Sequence, residues 1–357
     1  MNTTLELSEL DSKIGQLFMS GMPGPGLDEG TEALLRDYHL GGIILFARNI
    51  ENPLQLAGLC RMLQEKALTY LGRPILLAVD QEGGRVARLR EPFTEFPGNA
   101  AIGMDKEPLK RAVEFGVVTA KEMRLVGLNM NLAPVVDVKR GELEKHLEGR
   151  SFGEDPKTVG LLGRTVVKSL QENGVMAVAK HFPGLGRANL DPHLHLPRIE
   201  AGMEEIEGVN LPPFEAVIGE GVSAIMTSHA IYTALDSERP ATLSPHVLTA
   251  LLREKMGYHG LIMTDDLEMG AISKHCGVGN GVVDAFQAGA DILLICKEQE
   301  HVRESFRLLR GKVLRGDIPL QRLEASFKRI TEAKSRFLEE TGEISLSKVK
   351  KYFKMRA

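Results

Sequence analysis

VMAVAKHFPGLGRANLDPHLHLP, residues 175–197, joins an apolar run directly to a dense set of ionisable residues. Val175 to Ala179 show no polar alternation, which is the pattern of a strand buried on both faces, as in parallel sheets. The run ends in Lys180 and His181 instead of in more core. In α/β proteins ligands gather at the carboxyl ends of parallel strands, so this position favours function over packing. Gly184 and Gly186 are then expected to release the chain into a mobile loop with Asp191, Pro192 and His193 at its far side.

Seven similar runs lie on either side of this one: QLFMSG (16–21), GGIILFA (41–47), PILLAVD (74–80), MNLAPVV (130–136), SAIMTSH (223–229), LIMTDD (261–266) and DILLIC (291–296). Helical spans fit between them at 28–38, 53–71, 109–125, 158–172, 211–220, 244–255 and 281–288. Eight strands separated by helices predict an α/β chain folded as a single-domain (β/α)8 barrel of the TIM type. Several runs end at or near an ionisable residue, namely Asp80, Asp137, Lys180, His229 and Asp265, and a barrel brings such ends to one face. The rival architecture is a doubly wound sheet, but GVGNG (277–281) does not match the glycine-rich phosphate turn which that fold usually carries. Residues 298–340 read as helices that close the barrel, so the domain is expected to span 1–340. The remainder, 341–357, reads as a basic terminal helix or tail.

Of the 357 residues 43% are hydrophobic and 26% charged, and the net charge is -4, so no basic face for nucleic acid or a membrane surface is implied. No run approaches the ~18 apolar residues of a membrane span, and the amino terminus lacks a leader pattern. Cys60, Cys276 and Cys296 lie far apart without metal or disulfide spacing. A cytoplasmic monomer that acts on a small molecule is the expectation.

Asp265 and Asp266 follow the buried run 261–263, and a strand end holds a nucleophilic carboxylate rigidly. Neighbouring strand residues face opposite ways, so Asp265 is assigned to the mouth and Asp266 to capping the next turn. In Asp191-Pro192-His193 a carboxylate can hydrogen-bond an imidazole and tune it as a proton donor. Asp80 suits sugar hydroxyls, and Arg85, Arg88 and Arg150 suit a carboxylate or amide on a ligand, although salt bridges between loops would equally occupy them. His193 and His195, with His181, His229 and Asp265, also allow a metal-hydrolase reading. No GxSxG elbow supports a serine triad.

Several segments together resemble glycoside hydrolase family 3, in particular its single-domain β-N-acetylglucosaminidases of the bacterial peptidoglycan-recycling type. They are GGIILFARN (41–49), DQEGGRVARL (80–89), FPGNAAIG (96–103), NLAPVVDV (131–138), GRSFGEDP (149–156), KHFPGLG with DPH (180–193), MTSHAIY (226–232), ATLS (241–244) and TDDLEMGAI (264–272). The resemblance implies that Asp265 is the nucleophile of a retaining mechanism, His193 the acid/base and Asp191 its orienting partner. It implies that Asp80, Arg88, Arg150, Lys180 and His181 hold the N-acetylglucosamine hydroxyls and acetamido group. The substrate would be terminal β-linked N-acetylglucosamine on cell-wall fragments, with no metal or organic cofactor. The chain departs from the family at Leu185, usually histidine, and at Pro192, usually serine. Leu185 removes a polar group from the loop base and Pro192 stiffens the link within the dyad, but neither deletes a proposed catalytic group. A phosphorylase of the same chemistry, a metal-dependent barrel hydrolase and a silent sugar-binding protein are the alternatives.

Overall fold

The eight apolar runs form eight parallel strands: β1 (Phe18–Gly21), β2 (Gly42–Leu45), β3 (Leu76–Val79), β4 (Met130–Asn131), β5 (Met176–Phe182), β6 (Ala224–Thr227), β7 (Leu261–Met263) and β8 (Leu293–Ile295). This computed structural model describes residues 7–141, 147–186, 191, 194–338 and 344–355. Successive strands pair side by side from β1 to β7, and β8 pairs with β1. The cylinder closes between β7 and β8 through a bridge from Met263 to Ile292 and a hydrogen bond from Thr264 N to Ile292 O of 3.0 Å. The chain is therefore a single α/β barrel of the TIM type, as the alternation of runs and helical spans predicts.

The outer helices begin where short polar side chains can satisfy free backbone N–H groups. Asp28 caps Glu29–Tyr38, Asn52 caps Pro53–Leu71 and Asp155 caps Pro156–Glu172, the last two with proline in the first turn. Pro108–Val126, Leu211–Gly219, His246–Lys255 and Val278–Ala288 complete the set between strands, and Gln299–Leu314 and Leu320–Leu338 follow β8. His246–Lys255 is a wide π-helix, a geometry not legible in its sequence.

Three features were not anticipated. A helix at Leu7–Gly15 packs on the last two barrel helices. A hairpin pairs Gln81–Gly83 with Val86–Ala87, its turn made possible by Gly84 at φ 58°. The terminal basic segment is not merely solvated: Leu346–Tyr352 packs on Pro53–Leu71 and Pro108–Val126, burying Val349, and Phe353 meets Phe93 edge-on at 4.7 Å.

The strand residues are buried throughout, and the amino-terminal end of the barrel is plugged by polar contacts. Lys334 Nζ donates to Gln16 Oε1 at 2.7 Å and to Gly41 O at 2.8 Å. Burial, with Arg73 nearby, pulls this ammonium down to about 7. The opposite end carries the ionisable strand ends.

Candidate active site

At the carboxyl end of the strands lies a cavity of about 400 Å³. Asp80, Arg88, Arg150, Lys180, His181 and Asp265 all line it, so six of the eight site residues that the resemblance implies converge on one site. Arg85, Asp266, Leu185 and Cys296 share the wall.

Lys180 and His181 are neighbours on β5, and an ideal strand would turn one of them away. Here the pairing of β5 with β6 shifts register between Ala179 and Phe182, the Lys180–His181 peptide is cis, and both side chains reach the cavity.

Two carboxylates tie the cations down. Lys180 Nζ lies 2.9 Å from Asp80 Oδ1 and 2.7 Å from Glu82 Oε1, with the lysine side chain 3% exposed. Arg150 forms a two-pronged contact with Glu82, Nε to Oε2 and Nη2 to Oε1, both at 2.8 Å. Arg88 Nη2 donates to Asp80 Oδ2 at 3.2 Å. Burial pushes the Glu82 carboxyl up, but the charges of Arg150 and Lys180 more than offset it and hold it well below the usual carboxylate range. Burial likewise opposes charge on Lys180, and Asp80 and Glu82 outweigh it, so the ammonium titrates above its ordinary value. The salt bridges expected between loops are thus present, and they build the wall of the cavity.

Asp137 holds His181. Its Oδ2 lies 2.7 Å from the ring Nδ1, and its Oδ1 accepts the backbone N–H groups of His181 at 3.1 Å and Leu185 at 2.7 Å. Burial raises this carboxyl, yet His181 and the two amides bring it below its ordinary value. With Nδ1 facing the carboxylate, Nε2 is left toward Arg150 Nη2, 3.5 Å away.

Asp265 follows β7 and accepts the Asp266 N–H at 2.8 Å. Burial would raise its carboxyl, but His229, His181 and Lys180 together with that amide hold it below its ordinary value. The result is a carboxylate held ionised in the wall of the cavity. Asp266 caps the following turn, as expected, accepting from Glu268 N at 3.1 Å and Cys296 N at 3.2 Å. Its own carboxyl is pushed up to about 7, chiefly by burial and then by Glu268 and Asp265.

His229 is engaged on both ring nitrogens, with Thr242 Oγ1 at 2.8 Å and the Asp266 carbonyl at 3.0 Å. That arrangement braces the turn behind Asp265. Among the described residues no three His, Cys, Asp or Glu side chains converge as a metal site, and His195 is exposed.

Asp191 is half-buried, and its carbonyl accepts from Leu194 and His195 N–H, each at 3.0 Å. His193 and Pro192 lie outside the described residues. The segment 187–190, into which Gly184 and Gly186 were expected to release the chain, lies outside the described residues. Gly186 packs so closely that a Cβ would sit 1.7 Å from Val138 O, and its own carbonyl accepts Arg140 N at 2.9 Å. Close approach, not freedom, explains glycine at that position.

Residues 9–333 match the Glycosyl hydrolase family 3 N terminal domain. The chain belongs to glycosyl hydrolase family 3. Among family relatives, it is 38% identical over 278 residues to Beta-hexosaminidase A of Pseudoalteromonas piscicida, covering 73% of this chain and 46% of that one. It is 37% identical over 316 residues to the Beta-hexosaminidase of Alkalilimnicola ehrlichii, covering 87% of this chain and 88% of that one. A solved family 3 β-N-acetylglucosaminidase from Paenibacillus sp. str. FPU-7 superposes with a TM-score of 0.90 at 38% identity, over 93% of this chain and 63% of that one. The chain thus spans less than two thirds of the length of two of these three proteins.

Glu82 and Asp137 are the site residues that sequence reading did not assign. Asp137 stood out as a strand-end acid without a partner, and Glu82 lay hidden two residues after Asp80.

Proposed function

We propose that the protein is an exo-acting retaining β-N-acetylglucosaminidase that removes terminal β-linked N-acetylglucosamine. The observation that carries this reading is Asp265, half-buried and held below the ordinary carboxylate value, in the wall of a cavity rich in groups suited to sugar hydroxyls and an amide. A nucleophile must be ionised when the anomeric carbon reaches it, and this carboxylate meets that condition. The names of the family relatives, hexosaminidase and N-acetylglucosaminidase, support the same substrate class.

In the proposed mechanism Asp265 attacks the anomeric carbon and forms a covalent glycosyl ester while His193 protonates the departing oxygen. His193 then takes a proton from water, which displaces Asp265 with overall retention. Asp191 orients His193. Asp80, Arg88, Arg150, Lys180 and His181 hold the glycone. We assign 1,6-anhydro-muramyl fragments of cell wall as the natural substrate and the cytoplasm as the setting, a placement consistent with three free cysteines. The catalytic unit is assigned to 1–340, with 341–357 as an accessory segment.

The test is hydrolysis of an aryl N-acetyl-β-glucosaminide by wild type, Asp265→Ala and His193→Ala, with the first-formed anomer read by NMR. A β product from wild type and loss of turnover in Asp265→Ala are expected. An inactive wild type, an α product, or an Asp265→Ala variant of normal activity overturns the assignment. Inorganic phosphate in a parallel reaction separates hydrolysis from phosphorolysis, because only the latter accumulates sugar 1-phosphate.

A further inference from the structure

We infer that Glu82 is the positioning residue of the glycone site, an inference that rests on the proposed function above. Glu82 does not line the cavity and its side chain is only 2% exposed. Even so, it receives both prongs of the Arg150 guanidinium and the Lys180 ammonium, two cations that do line the cavity. A substrate therefore meets Arg150 and Lys180, and what aims them lies behind.

The three residues come from unrelated parts of the chain. Glu82 lies in the first strand of the hairpin after β3, Lys180 belongs to β5, and Arg150 sits in the connection between β4 and the helix Pro156–Glu172. Arg150 has no strand or helix of its own to hold it. The two-pronged contact with Glu82 fixes the guanidinium plane, and Asn99 Nδ2 secures the Arg150 carbonyl at 2.8 Å. Lys180 differs, because it keeps Asp80 as a second carboxylate. Loss of Glu82 should consequently remove both prongs that set the Arg150 guanidinium plane and leave Lys180 paired with Asp80.

The prediction is specific to that pair. Glu82→Gln should lower kcat/KM toward an aryl N-acetyl-β-glucosaminide by about 100-fold, the scale set by displacing a substrate-holding group by an ångström or so. In an Arg150→Gln background the same change should cost no more than about 5-fold, because the group it aims is already gone. The comparison of R150Q with R150Q/E82Q remains available if E82Q alone does not fold, since the double variant carries no orphaned arginine charge. Full activity in E82Q, or equal losses from Glu82→Gln in both backgrounds, overturns the inference. An inactive wild type is the separate failure of the proposed function. In that event a crystal structure of E82Q decides: a displaced Arg150 guanidinium upholds the positioning role, and an unmoved one overturns it.

Discussion

The carboxylate of Asp137 grips His181 at two points, the ring Nδ1 at 2.7 Å and the backbone N–H at 3.1 Å. The ring orientation and the path of the main chain are thereby set by one group. Hydrogen bonds to a charged partner contribute about 1.5–3 kcal/mol. Asp137→Asn can accept only one of these bonds well, and with a neutral oxygen. It is expected to lower kcat/KM by about 10- to 100-fold, measured with an aryl N-acetyl-β-glucosaminide.

The same pair sets a pH dependence of stability. The folded Asp137 carboxyl titrates below its ordinary value of 3.8, so its contribution is complete above that value and is lost as the pH falls through the folded value. Acid unfolding followed by circular dichroism should therefore begin at higher pH in Asp137→Ala than in wild type. Coincident acid transitions would show that the contact contributes nothing to the fold.

Asp265 is likewise held below 3.8, so the proposed nucleophile is ionised at neutral pH. The acid limb of kcat/KM should then not report its titration. Above about pH 5 any fall in rate with acidity must come from another group. A limb that moves with substitutions around Asp265, such as Thr242→Val behind His229, would contradict this.

Asp266 behaves in the opposite sense. With its folded value raised to about 7 from 3.8, it is protonated in the fold while already ionised in the unfolded chain, so it costs stability progressively between those two values. The full cost above pH 7 is about 4 kcal/mol at 1.36 kcal/mol per pH unit. Asp266→Asn keeps an oxygen acceptor for the Glu268 and Cys296 amides and carries no charge. Its thermal midpoint should exceed that of wild type by several degrees at pH 8, with the advantage gone near pH 4.

Gly186 offers a steric test. A methyl group there meets Val138 O at 1.7 Å, so Gly186→Ala must push apart the segments that carry Asp137 and Leu185. A loss of roughly 1–3 kcal/mol in urea unfolding is expected, together with a fall in kcat/KM. A variant with unchanged denaturation midpoint would mean that the two segments separate freely.

Much of this architecture is readable from sequence because each barrel strand is a short run buried on both faces, and helices with Asp or Asn caps separate the runs. The π-helical winding of His246–Lys255 and the polar helix Leu7–Gly15 were not readable, since neither carries a distinctive local pattern. The site shows the same division. Asp80, Lys180, His181 and Asp265 declare themselves by ending strands in charge, whereas Glu82 acquires its meaning from Arg150, 68 residues away in the chain. Register is a further limit: strand alternation alone would have turned either Lys180 or His181 away from the cavity.

The closure of the barrel between β7 and β8 is an irregular set of hydrogen bonds, among them Ile292 N–H to Ile262 O at 3.1 Å and Leu267 N–H to Leu294 O at 3.0 Å, and it adjoins the proposed nucleophile. At this seam Leu294 N–H donates to the Thr264 side chain at 3.0 Å instead of to a ladder carbonyl, and the next residue along is Asp265. A fluctuation that parts the cylinder here would swing the carboxylate out of alignment. On gradual heating, catalytic output should therefore fade before the ellipticity does, making the enzyme its own early thermometer.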